Sequence, residues 1–121
     1  MTKNDLVGTW RFIEFRLINE ADGTVTKPWG DDHSGQIVYA PDGFMSVLLR
    51  RNGSVMAYCG PYDVEPDAVV HRIAIATDDK LIGTAQRRLV RLDGKRLTLT
   101  SEVSLFGGKG TRANLVWERM T

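Results

Sequence analysis

Four hairpin dipeptides punctuate the chain at Asp22-Gly23, Asp42-Gly43, Asn52-Gly53 and Asp93-Gly94. Asn-Gly and Asp-Gly readily take the positive φ angles of tight turns whose twist matches that of the flanking strands. Each therefore marks a point where an antiparallel strand reverses. Pro66-Asp67, Asp78-Asp79 and Phe106-Gly107-Gly108-Lys109-Gly110 add three weaker breaks. The seven turns separate eight segments, read as strands near 8–18, 35–40, 43–50, 55–64, 68–77, 83–91, 95–104 and 111–119. No helix competes, because the spaced apolar positions of 80–91 are interrupted by Gly83 and carry no cap. The two ends match: Gly8-Thr9-Trp10 heads the first strand and Leu115-Val116-Trp117-Glu118-Arg119 closes the last. Eight strands commonly close around a side-chain-filled or ligand-sized interior. The expectation is one all-β domain over 1–121, a single eight-stranded antiparallel up-and-down barrel in which 8–18 pairs with 111–119.

Composition narrows the function classes. With 42% apolar and 26% charged residues, the chain has ordinary globular makeup. At 121 residues it can bury a core without metal or disulfide staples. Net charge is +1 and the basic residues are scattered, with Arg50-Arg51 and Arg87-Arg88 only as pairs. Nothing there steers nucleic acid or an anionic membrane. The single cysteine, Cys59, rules out an internal disulfide and has no neighbouring cation in sequence to activate its thiolate. Without an 18-residue apolar run or an apolar stretch after Met1, the chain is expected to be cytoplasmic. No phosphate loop, Gly-x-Ser-x-Gly elbow or activating Cys/His pair is present, and no cofactor is expected. Asp31-Asp32-His33 is the one local metal-ligand cluster, but adjacent loop residues rarely complete a shell, so no metal is expected.

Strand parity selects the candidate site. Over 68–77, Val69, His71, Ile73 and Ile75 alternate with Val70, Arg72, Ala74 and Ala76. The bulkier apolar set should face inward and carry His71 with it. An imidazole titrates near neutrality and can accept or donate a proton, although the same placement suits a structural histidine held by a hydroxyl. Met56, Tyr58, Gly60, Tyr62 and Val64 share a face of the preceding strand, and the reversal at Pro66-Asp67 brings the tyrosines towards His71. Gly60 between them leaves room for a ligand or a crossing side chain. His71, Tyr58 and Tyr62 form the candidate catalytic set; Tyr39, Gln86, Arg88 and Trp29 are the candidate substrate contacts. Thr84, Gln86 and Arg88 share a face too polar for a dry core. Either it lines a wet pocket, where Arg88 binds a carboxylate or enolate oxygen, or it faces solvent while Ala85 and Leu89 turn inward. Trp29 lies in the irregular stretch 19–34, long enough to serve as a lid. On the first strand the apolar parity slips from Trp10 and Phe12 to Ile13, Phe15 and Leu17, which suggests a bulge and leaves the facing of Glu14 and Arg16 open. Glu102 alternates with Thr98, Thr100 and Ser104 on an expected outer face.

Several blocks occur in a familiar order: Leu6-Val7-Gly8-Thr9-Trp10-Arg11, then Gly35 to Val47 with Pro41-Asp42-Gly43 inside it, then Tyr58-Cys59-Gly60-Pro61-Tyr62-Asp63-Val64, Val69-Val70-His71, Gly83 to Arg88, and Leu115 to Arg119. Together they resemble the bacterial lipocalin-like domain family over nearly the whole chain. The resemblance implies a small up-and-down β-barrel with Trp10 plugging its closed end and Arg119 lying across it. Such barrels include hydrophobic-ligand carriers and cofactor-free enzymes, and fold does not choose between them. Typical members carry a longer, partly helical segment where this chain has only Arg51-Asn52-Gly53-Ser54. That shortening opens the mouth or leaves it to a second subunit, and a homodimer covering Val55 and Met56 is expected. The expected function is binding of a small, largely apolar or aromatic molecule in the cavity. The protein then acts as a cofactor-independent isomerase, cyclase or lyase using acid–base catalysis, as a non-catalytic carrier, or as a structural barrel working through oligomer contacts.

Overall fold

The computed structural model describes residues 1–101 and 110–121. Glu102, Ser104 and most of the expected Phe106–Gly110 turn lie outside those residues. Strands β1 (Gly8–Asn19), β3 (His33–Tyr39), β4 (Phe44–Arg51), β5 (Ser54–Val64), β6 (Ala68–Arg72), β8 (Ala85–Asp93), β9 (Arg96–Thr100) and β10 (Thr111–Arg119) form the wall; β2 (Val25–Thr26) and β7 (Ile75–Ala76) are two-residue additions. Each wall strand pairs antiparallel with the next, and β10 returns to β1 from Trp10↔Arg119 to Asn19↔Thr111. The eight-stranded up-and-down barrel expected from the turns is thus closed by the strands that carry the two end motifs. A short helix α1 (Lys3–Leu6) and a 3-10 turn at Asp79–Leu81 complete the described elements. Among the described residues no helix is long and apolar enough to cross a membrane.

One end of the barrel is sealed. Trp10 is fully buried against Leu6, and its indole N–H donates to the Leu6 carbonyl at 2.9 Å. The Arg119 guanidinium lies 4.2 Å from the Trp10 ring centroid. It also donates to the carbonyls of Val7 at 2.9 Å and of Asp5. It thereby ties α1 across the barrel end and satisfies backbone acceptors that the short helix leaves over. Gly8 makes room for this: at its φ of +136°, an added Cβ would stand 2.8 Å from the guanidinium.

The first strand carries the bulge its parity suggested, with the register slipping between Phe12 and Glu14. Trp10, Phe12 and Phe15 are therefore all buried in one core with Ile37, Leu49, Leu97 and Trp117. Glu14 and Arg16 turn outward. There Glu14 pairs with Arg16 and with the Lys27 ammonium at 2.9 Å. These two hydrogen-bonded cations, Arg16 foremost, hold its carboxyl down at about 2.

The segment 68–77 departs from expectation. It is not one strand but two, broken at Ile73 and Ala74, where Ile73 exchanges hydrogen bonds with Gly83 and Thr84 and Ala74 donates to Cys59. The break resets the alternation. Val69, His71 and Ile73 are buried as expected, but Ile75 points outward and is 67% exposed. Gly60 explains how the break fits: a Cβ there would lie 2.0 Å from the Arg72 carbonyl oxygen. The space beside Gly60 is filled by the backbone of the bend, not left for a ligand or a side chain.

Candidate functional site

Away from the sealed end, the barrel encloses a cavity of about 370 Å³. Alternate residues of the wall strands supply its apolar lining, including Leu49 on β4, Leu99 on β9, and Leu115 and Trp117 on β10. Trp29 from the loop before β3 covers it. Its ring stacks on Phe15 at 4.1 Å with planes 11° apart, and the Arg51 guanidinium lies 4.8 Å from its centroid. Among the described residues, the polar side chains on its wall are Tyr58, His71, Gln86, Arg88 and Asp78, with the indoles of Trp29 and Trp117 beside the apolar lining.

Register places these groups together. His71 on β6 faces Tyr62 on β5 across one ladder and Gln86 on β8 across the other. Gln86 and Arg88 line the cavity, whereas Ala85 is exposed. The alternative in which Ala85 turned inward and this face met solvent is therefore overturned. The Gln86 amide N–H₂ donates to Thr84 at 3.0 Å, and its carbonyl accepts from Arg88 at 3.4 Å.

His71 is 1% exposed, and both ring nitrogens are engaged by phenols. Tyr39 Oη lies 2.6 Å from Nε2 and Tyr58 Oη lies 2.7 Å from Nδ1. Tyr39 is buried behind the imidazole, off the cavity wall, while Tyr58 lies on it. Tyr62 sits deeper: its hydroxyl donates to the Ala40 carbonyl at 2.7 Å and its ring meets Tyr39 edge-on at 4.9 Å. Of the seven candidates, His71, Tyr58, Gln86, Arg88 and Trp29 share the cavity, and Tyr39 and Tyr62 form a layer beneath it.

Burial sets the charge state of this cluster. Desolvation, reinforced by the nearby Arg88 cation, pulls His71 down to about 3. The same burial pushes Tyr58 up to about 12 and Tyr39 well above the usual phenol range. Tyr62 is raised as well, by burial and then by Asp42. At neutral pH the imidazole and all three phenols are uncharged. A neutral imidazole offers one donor and one acceptor, so Tyr39–His71–Tyr58 is a continuous hydrogen-bonded chain with a single direction.

Other candidates lie elsewhere. His33 opens β3 and packs edge-on to Phe12 at 4.9 Å. Among the described residues no group of three metal-ligating side chains is assembled. Trp117 is a cavity residue outside the candidate set, although its alternation with Leu115 on the last strand carries that information.

The model of a family described as a lipocalin-like domain matches residues 7–54 and 50–120. A redesigned β-barrel superposes at TM-score 0.54 with 19% identity, covering 98% of this chain and 95% of its own. A crystal structure of an uncharacterized protein from Bacteroides eggerthii DSM 20697 superposes at TM-score 0.54 with 17% identity, covering 95% of this chain and 99% of its own. At such identities these two likenesses speak for the fold alone. No curated protein matches the chain. The family model spans both end motifs and every wall strand, and the barrel closes as a ligand-binding fold of that type does, so the chain belongs to the lipocalin-like domain family.

Proposed function

We propose that the barrel binds one small, largely apolar molecule in its 370 Å³ cavity. The observation that carries this reading is the contrast between the ends: one is plugged by Trp10, and the other keeps an apolar-walled space with a few convergent polar groups, the usual makeup of a small-molecule site. A binding role is favoured over direct acid–base work by His71, because both its nitrogens are already engaged and burial keeps it neutral. The cofactor-independent isomerase, cyclase or lyase reading survives in altered form. There Tyr58 is the group that meets substrate, its hydroxyl donating to a substrate oxygen and polarising it while His71 and Tyr39 hold the phenol in place.

Titration with 1-anilinonaphthalene-8-sulfonate tests the reading. Saturable fluorescence enhancement at one site per barrel is expected, with a dissociation constant on the order of 1–100 μM for a ligand of that size. Met56→Trp, which fills the cavity from β5, should abolish it. Enhancement that persists unchanged in Met56→Trp would place the dye outside the barrel and refute the reading.

The expected homodimer belongs to the same proposal. Phe44, Leu48, Val55 and Ile75 are each more than half exposed on the outer face of β4, β5 and β7, and contiguous exposed apolar patches often mark contacts. Light scattering at micromolar concentration should give the mass of a dimer; a monomer mass removes this part of the proposal.

A further inference from the structure

We propose that Tyr39 fixes His71 as its Nδ1–H tautomer, which leaves the hydroxyl proton of Tyr58 for the ligand and makes the cavity selective for apolar molecules bearing an acceptor oxygen, such as ketones, aldehydes or quinones. The proposal deepens the binding reading above and rests on it for its ligand half.

The assignment follows from hydrogen-bond accounting. The Tyr39 hydroxyl is buried, and among the described residues its one partner is His71 Nε2 at 2.6 Å. A buried O–H without an acceptor is costly, so this proton goes to the one acceptor in reach. Nε2 is then the bare nitrogen and the ring proton sits on Nδ1. That N–H donates to Tyr58 Oη at 2.7 Å. The oxygen of Tyr58 is thus occupied as an acceptor, its own proton has no place on the imidazole, and Tyr58 lies on the cavity wall. Burial keeps that phenol protonated.

A second observation points the same way. Trp117 also lines the cavity, and its indole N–H is buried with no hydrogen-bond partner among the described residues. An unsatisfied buried donor of this kind calls for an acceptor. The positive field of Arg88 adds to the preference: after burial, it lowers His71 further, and it offsets part of the rise that burial gives Tyr58. Among the described lining residues the one carboxylate is Asp78, whose Oδ1 accepts from the Lys80 backbone N–H at 3.0 Å and which sits apart from the tyrosine–histidine chain in sequence, beyond β7. Beside the imidazole the lining therefore offers a ligand the Tyr58 hydroxyl as a donor. A ligand with a carbonyl gives the Tyr58 hydroxyl an acceptor; a hydrocarbon of the same shape leaves it without one.

Two measurements test the two halves. Long-range ¹H–¹⁵N correlation of the imidazoles, simple in a chain with two histidines, should show His71 with a protonated Nδ1 and a bare Nε2. An Nε2–H ring or an imidazolium at neutral pH overturns the assignment without touching the binding reading. Displacement of bound 1-anilinonaphthalene-8-sulfonate should then be compared for 2-acetylnaphthalene and its isostere 2-isopropenylnaphthalene. The ketone is expected to bind about tenfold more tightly, equivalent to about 1.4 kcal/mol. In Tyr58→Phe the ratio should fall to about one. Equal affinities in the wild-type protein overturn the acceptor preference and leave binding standing. Failure of both compounds to displace the dye overturns the binding reading itself. Should Tyr58→Phe not fold, the wild-type ratio and the tautomer still decide the proposal.

Discussion

Trp10→Ala is expected to lower the stability of the protein by about 3–5 kcal/mol, the range for deleting a large, fully buried aromatic. Three losses combine. The side chain leaves a cavity in the buried core at the end closed by Leu6, the Leu6 carbonyl loses its indole donor, and the Arg119 guanidinium loses the ring it lies on. Domains of this size are commonly stable by only about 5–15 kcal/mol, so the variant should unfold at far lower urea concentration than the parent. Arg119→Ala should cost less, about 1–2 kcal/mol, because it removes hydrogen bonds and a cation–π contact but leaves the plug in place. A Trp10→Ala midpoint equal to the parent's would contradict the sealed-end arrangement. Loss of ligand binding in this variant should follow unfolding rather than precede it, since Trp10 does not line the cavity.

Acidification is the second large effect. In the unfolded chain His71 takes up a proton below about 6.5. In the folded barrel burial holds it down to about 3, so between those values the unfolded state binds one more proton than the native state. Stability must then fall as the pH falls through that window, by about 1.4 kcal/mol per pH unit, or about 3 kcal/mol between pH 6.5 and 4. Glu14 acts in the same direction at lower pH. Its carboxyl is held at about 2 in the fold, so the stability it contributes fades as the pH drops below its ordinary value of 4.5. His71→Gln keeps a donor and an acceptor between Tyr39 and Tyr58 but cannot titrate. Urea denaturation of the two proteins at about pH 7 and 4 should show a much shallower loss in the variant. Parallel losses would mean that the imidazole is not buried in its neutral form.

The barrel was legible because its signals are local. Asp-Gly and Asn-Gly turns state where the chain reverses, and the bulge in β1 is written in the slip from Trp10 and Phe12 to Phe15. The site was legible only as far as parity reaches. Alternation correctly sent His71 and Tyr58 inward, but it assumes an unbroken strand, and it failed at Ile75 once the backbone turned at Ile73 and Ala74. That turn depends on Gly60, a residue of another strand whose missing side chain admits the Arg72 carbonyl. Parity also carries no information on depth along the barrel axis. Tyr58 and Tyr62 share a face, yet one reaches the cavity and the other ends on the Ala40 carbonyl. The contact between Tyr39 and His71 joins residues 32 positions apart through three strand registers, which no local pattern encodes.

The most direct test of the account is a crystal structure of the protein grown with 2-acetylnaphthalene. The naphthyl group is expected inside the barrel, between Leu49, Leu99, Leu115 and Trp117, with the ketone oxygen within hydrogen-bond reach of Tyr58 Oη. A ketone seated on the outer face beside Leu48 and Ile75, or an interior closed by the protein's own side chains, would contradict it.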